Sequence, residues 1–124
     1  CVLIAFIVKK EVQVGVTYDP IGDELFWATK GGGAFVKNPR YEGPIRTSNC
    51  TSISQAVIGT ETGYKRDPAT VGCLSGTIAD LMTSGVRSIR MMGACGLNLS
   101  AVASGRFDAF YEIGDWDVNS GPKI

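Results

Sequence analysis

Histidine is missing from all 124 residues, and its absence removes several chemistries at once. The chain alone can build no Ser-His-Asp triad, no Cys-His dyad and no His-ligated zinc site. Net charge is missing too, because 12 Lys and Arg balance 12 Asp and Glu. That balance speaks against nucleic acid or an anionic membrane as the main partner, since both need clustered cations. Nor is there a long hydrophobic run. The longest, Cys1 to Val8, falls far short of the roughly 20 residues that span a bilayer, and reads as a buried strand. Cys1, Cys50, Cys73 and Cys95 contain no C-x-x-C pair. A zinc ribbon or thioredoxin-type motif is therefore not expected, and the four read as reduced thiols of a cytoplasmic protein. What remains for catalysis is carboxylates, hydroxyls, backbone amides and metal held by oxygen.

The first half, residues 1–62, reads as β-rich hairpins. Beyond a polar break at Lys9-Lys10, Val12, Val14, Val16 and Tyr18 recur at every second position, the periodicity of a strand with two distinct faces. Asp19-Pro20-Ile21-Gly22-Asp23 has turn chemistry, Leu25, Trp27 and Thr29 alternate again, and Gly31-Gly32-Gly33 separates them from Ala34 to Val36. An antiparallel meander accounts for these runs. Lys37 to Pro44 reads as a polar loop, Ile45 to Thr47 as a short strand, and Ala56 to Thr60 as a further strand.

Residues 63–124 alternate helix and strand. Asp67-Pro68 supplies a capping acid and a Pro for the first helical position. Val71, Leu74, Ile78 and Leu81 then follow at helical spacing, up to Gly85. Val86 to Met92 is expected to be a strand, Leu97 to Ser104 a helix closed by Gly105, and Phe107 to Glu112 a strand with Phe107, Ala109 and Tyr111 on one face. Met91-Met92 reads as core at a strand end, and Trp116-Asp117 as the opening of a third helix. The fold class is α/β (α+β), with layered helices and sheets. The chain starts without Met and stops inside that third helix, so it reads as an internal piece of a larger protein.

Two places carry candidate chemistry. Gly93-Ala94-Cys95-Gly96 joins a strand to a helix, and unpaired amides at a helix start attract anions such as phosphate. The same small residues also suit a plain turn. Glu112, Asp115, Trp116 and Asp117 lie between a strand and a helix, where carboxylates can hold Mg²⁺. There the alternative is a helix cap at Asp117, with Trp116 in the core.

Taken together, Arg90-Met91-Met92-Gly93-Ala94, the run from Asn98 to Gly114 and Trp116-Asp117-Val118 resemble the C-terminal part of the inositol monophosphatase family. Gly15-Val16-Thr17-Tyr18-Asp19-Pro20, Asp23-Glu24-Leu25-Phe26 and Lys30-Gly31-Gly32-Gly33-Ala34-Phe35 resemble that family's hairpins. The resemblance implies a layered α-β-α-β-α sandwich of which this chain is a part. It also implies a Mg²⁺-dependent, lithium-sensitive phosphatase acting on an inositol monophosphate, and a homodimer. By the same resemblance Asp117 ligates metal and serves catalysis, Glu112 binds an inositol hydroxyl, and Gly93, Ala94 and Cys95 cradle the substrate. The family's Asp-Pro-Ile/Leu-Asp-Gly-Thr motif, which carries most metal ligands, is absent, and Asp19-Pro20-Ile21-Gly22-Asp23 reads as a turn rather than its replacement. The chain alone is therefore expected to be inactive. Alternatives are a bisphosphate nucleotidase, a fructose-bisphosphatase-like enzyme, or a truncated interaction module without catalysis.

Overall fold

The computed structural model describes residues 1–113. Asp115, Trp116, Asp117 and the expected third helix lie outside the described residues.

The alternating segments form a five-stranded antiparallel sheet in sequence order. Its strands are β1 (Val2–Val8), β2 (Glu11–Asp19), β3 (Glu24–Thr29), β4 (Gly33–Asn38) and β5 (Tyr41–Pro44). The last two overturn part of the expectation, since the polar stretch after Lys37 is a hairpin and no strand forms at Ile45 to Thr47. Asn38 explains the turn: its side-chain oxygen accepts from the amides of Arg40 and Tyr41, holding the chain while it reverses. At the β2–β3 turn Asp19 does the same for the Ile21 amide. The β1–β2 turn places Lys9 and Lys10 at φ of 49° and 66°, a left-handed pair that matches the twist of a hairpin but strains side-chain-bearing residues.

Register assigns the two faces, because paired residues on antiparallel strands point to the same side. One cross-strand row runs Leu3, Thr17, Phe26, Val36, Gly43, and Thr17, Phe26 and Val36 in it are buried. The neighbouring row, Ile4, Val16, Trp27, Phe35 and Pro44, faces the other way, with the Trp27 and Phe35 rings stacked at 5.5 Å. That second face is open at its β1 end, where Ile4 is 64% and Phe6 59% exposed. The expected burial of Cys1 to Val8 is not seen among the described residues: the strand forms, at the edge of the sheet that they build, with its residues exposed.

A 3-10 turn at Ile53–Gln55 leads into a three-stranded parallel sheet. It is built from β6 (Val57–Thr60), β7 (Ser88–Arg90) and β8 (Ala109–Tyr111), with β6 in the centre. These strands are shorter than the runs that suggested them. Met91 and Met92 are exposed rather than core, and of Phe107, Ala109 and Tyr111 only Phe107 is buried. Helix α1 (Pro68–Thr83) joins β6 to β7 and starts as anticipated, with Asp67 accepting from the Thr70 amide. Helix α2 (Cys95–Ala103) carries the chain back across β6 to β8. Because such crossovers are right-handed, two that run in opposite directions place their helices on opposite faces of the sheet. α2 lies on the face toward the antiparallel sheet, its Gly96 packed so closely that an added Cβ would sit 3.0 Å from Leu3 and from the Cys1 sulfur. The layers are therefore antiparallel sheet, α2, parallel sheet, α1. Arg106 ties the sheets together: its guanidinium donates to both Glu24 carboxylate oxygens at 2.6 Å and lies 5.6 Å over the Phe26 ring. All four cysteines are free thiols.

Candidate substrate-binding site

The three parallel strands end side by side, and the carboxyl edge of such a sheet is where α/β folds hold their ligands. β6 ends at Thr60, paired with Tyr111 at the end of β8. The next residues on these neighbouring strands are Glu61 and Glu112, so register alone brings two carboxylate side chains to the same edge. On the other side of β6, β7 ends at Arg90 and the chain runs through Met91, Met92, Gly93 and Ala94 into α2.

Glu61 organises that loop. Its Oε1 accepts from the Met92 amide at 2.8 Å, the Gly93 amide at 2.6 Å and the Asn98 side-chain amide at 2.8 Å. Two successive backbone amides aimed at one oxygen form an anion nest. Gly93, at φ +82°, supplies the left-handed step that such convergence requires. The nest's anion is therefore a side chain of the protein itself. Asn98 is fully buried, 0% exposed, in the first turn of α2, and through it the carboxylate is anchored to the interior between the sheets.

Of the residues anticipated from sequence, Gly93, Ala94 and Cys95 lie in this loop and at the start of α2, and Glu112 lies one residue beyond β8. Ala94 is the N-cap and offers no side-chain cap, as expected for a methyl group. Both Glu112 carboxylate oxygens are shielded from solvent. Asp117 falls outside the described residues. Glu61 and Asn98 had not been singled out. The available signals were an acid directly after the strand ending at Thr60, and an Asn among the small and apolar residues of α2.

A cleft of about 630 Å³ opens at the opposite, amino edge of the parallel sheet, lined by Val57, Arg87, Arg106 and Asp108 among others. Two of its charged groups are engaged structurally. Arg106 is paired with Glu24, and Asp108 accepts from the Val57 amide at 2.6 Å. The converging chemistry is at the carboxyl edge.

Comparison with known proteins supplies the family. The model of the inositol monophosphatase family matches residues 1–124. The chain belongs to the inositol monophosphatase family. It is 45% identical to inositol monophosphatase 2 of Solanum lycopersicum, over 100% of this chain and 46% of that protein. It is 35% identical to human inositol monophosphatase 2, over 99% and 42% respectively. Among solved structures, Mycobacterium tuberculosis SuhB superposes with a TM-score of 0.79 at 28% identity, covering 90% of this chain and 44% of that one. Inositol monophosphatase from Anabaena gives 0.73 at 31%, covering 99% and 47%. The mixed α/β fold is shared with these family members. The chain spans about half the length of the curated relatives it matches.

Among the described residues no group of three or more carboxylates or thiols is gathered to hold a metal ion. No helix among the described residues is long and apolar enough to cross a membrane.

Proposed function

We propose that this chain forms the polyol-facing wall of the active site in a metal-dependent phosphatase that hydrolyses an inositol monophosphate to inositol and inorganic phosphate. One observation carries the reading. Glu61 occupies the Met92 and Gly93 amides, so a phosphate cannot use them without displacing a carboxylate. With Glu112 just beyond the adjoining strand, this edge is rich in carboxyl acceptors, and Glu61 adds negative charge. Ring hydroxyls can donate to such a surface, whereas a phosphate dianion is repelled by it. The phosphate of the substrate is accordingly assigned to the side away from Glu61, and the hydroxyl-bearing ring to the loop of Gly93, Ala94 and Cys95 and to Glu112. This revises the anion cradle expected from the sequence while keeping its residues in contact with substrate. Mg²⁺ is the metal proposed for the reaction. Asp117 is the one ligand assigned to this chain, and the remaining coordination comes from outside the 124 residues. The same charge pattern disfavours a bisphosphate nucleotidase or fructose-bisphosphatase-like substrate, which brings a second phosphate.

The test is phosphate release with Mg²⁺ from inositol 1-phosphate and from adenosine bisphosphate. It compares the chain alone with a chimera in which the chain replaces the aligned stretch of the tomato relative. The chain alone should release nothing. The chimera should turn over the inositol ester and disfavour the bisphosphate by about tenfold or more in kcat/KM, since misplaced like charges cost several kcal/mol. Robust turnover by the isolated chain, or a chimera that prefers the bisphosphate, overturns the reading.

A further inference from the structure

Resting on that reading, we infer that Glu61 is the specificity-determining residue of this wall: its charge, and not only its hydrogen bonds, keeps a second anionic group out of the loop ahead of α2. The backbone there is built as an anion receptor, with two converging amides, a glycine in the left-handed conformation and a helix start just beyond. A receptor of this shape left empty would bind phosphate from solution or from a substrate carrying two phosphates. Glu61 fills it from β6, held in place by buried Asn98. The amides are thereby satisfied, the negative charge is fixed, and the group that remains acceptable beside it is a neutral hydrogen-bond donor such as a hydroxyl. Glu61 acts through the loop, so it is a positioning residue that sets the charge of the pocket and need not touch the reacting phosphate.

A structural role and a charge role separate in the Glu61→Gln variant. One glutamine oxygen can accept from the same three donors, but the side chain is neutral. The full 124-residue chain, labelled with ¹⁵N, is titrated with inorganic phosphate and separately with myo-inositol while the amides of Met92 and Gly93 are followed by NMR. The ratio of phosphate to inositol affinity should rise by about tenfold or more in Glu61→Gln. It should rise at least as far in Glu61→Ala, where the amides are also freed. An unchanged ratio in Glu61→Gln overturns the inference, whatever Glu61→Ala does. If myo-inositol shifts none of residues 91–96 or Glu112 in the native chain, the polyol reading fails instead. The charge role is then judged on phosphate alone, where equal binding by the native chain and Glu61→Gln refutes it.

Discussion

Replacing Asn98 by Ala should destabilise the protein more than any substitution on the exposed side of α2. Asn98 has no solvent exposure and gives its side-chain amide to Glu61 at 2.8 Å. A hydrogen bond to a charged group contributes about 1.5–3 kcal/mol, and the buried atoms removed leave a small cavity worth about 1 kcal/mol more. Against this, Glu61 keeps the Met92 and Gly93 amides, so no uncompensated charge is stranded, and the variant also removes the buried Asn98 Oδ1, which has no hydrogen-bond partner among the described residues. The net loss should therefore be about 2–3 kcal/mol, which for a domain of this size lowers Tm by roughly 6–12 °C. Urea denaturation followed by circular dichroism measures it directly, as a lower midpoint with an unchanged slope. The Asn98→Asp variant sharpens the test by placing a second carboxylate against Glu61. It should be less stable than Asn98→Ala at neutral pH. If Asn98→Ala costs less than about 0.5 kcal/mol, the size of an ordinary surface change, the anchoring of Glu61 to the core is wrong.

Other substitutions probe the scaffold. An added Cβ at Gly59 would sit 2.8 Å from the Phe107 ring and 3.2 Å from Phe110, so Gly59→Ala should cost about 1–3 kcal/mol in the same denaturation assay; a neutral result means the rings move aside freely. The Thr17 hydroxyl is 1% exposed with no hydrogen-bond partner among the described residues, and Thr17→Val should raise stability by about 1 kcal/mol; a loss instead would reveal a bonded hydroxyl. Arg106, and to a lesser degree Asn38, hold the Glu24 carboxyl below its usual range. That contribution is complete above Glu24's ordinary titration range and is lost as pH falls through the lowered value. Arg106→Gln should reduce this slope and, because the Arg106 side chain is 50% exposed, cost only about 1 kcal/mol at neutral pH. A stability–pH curve parallel to that of the native chain contradicts the pairing.

Much of this protein is written locally. The alternation of Val12 to Tyr18 and Leu25 to Thr29, the turn at Asp19, and Asp67-Pro68 ahead of an apolar helical period specify strands, reversal and helix start through contacts a few residues long. Side-chain period and turn chemistry are properties of neighbouring residues, and they survive into the fold. The loop and helix start at Gly93 to Cys95 were legible for the same reason. Strand lengths were not, because β7 and β8 extend only as far as central β6 can pair with them.

Which face of a strand is covered, and which partner an amide finds, are settled at long range. Cys1 to Val8 is apolar enough to be core, yet burial depends on what lies against it, and among the described residues nothing covers that strand's outer side. Glu61 reaches amides 31 and 32 residues away because β6 and β7 are parallel neighbours. That pairing gives the Met92 and Gly93 amides a carboxylate of the protein as their acceptor. The amino-acid order determined the backbone shape of the loop ahead of α2. Only tertiary pairing decided that a carboxylate of the protein would fill it, since electrostatics acts across space without regard to separation along the chain.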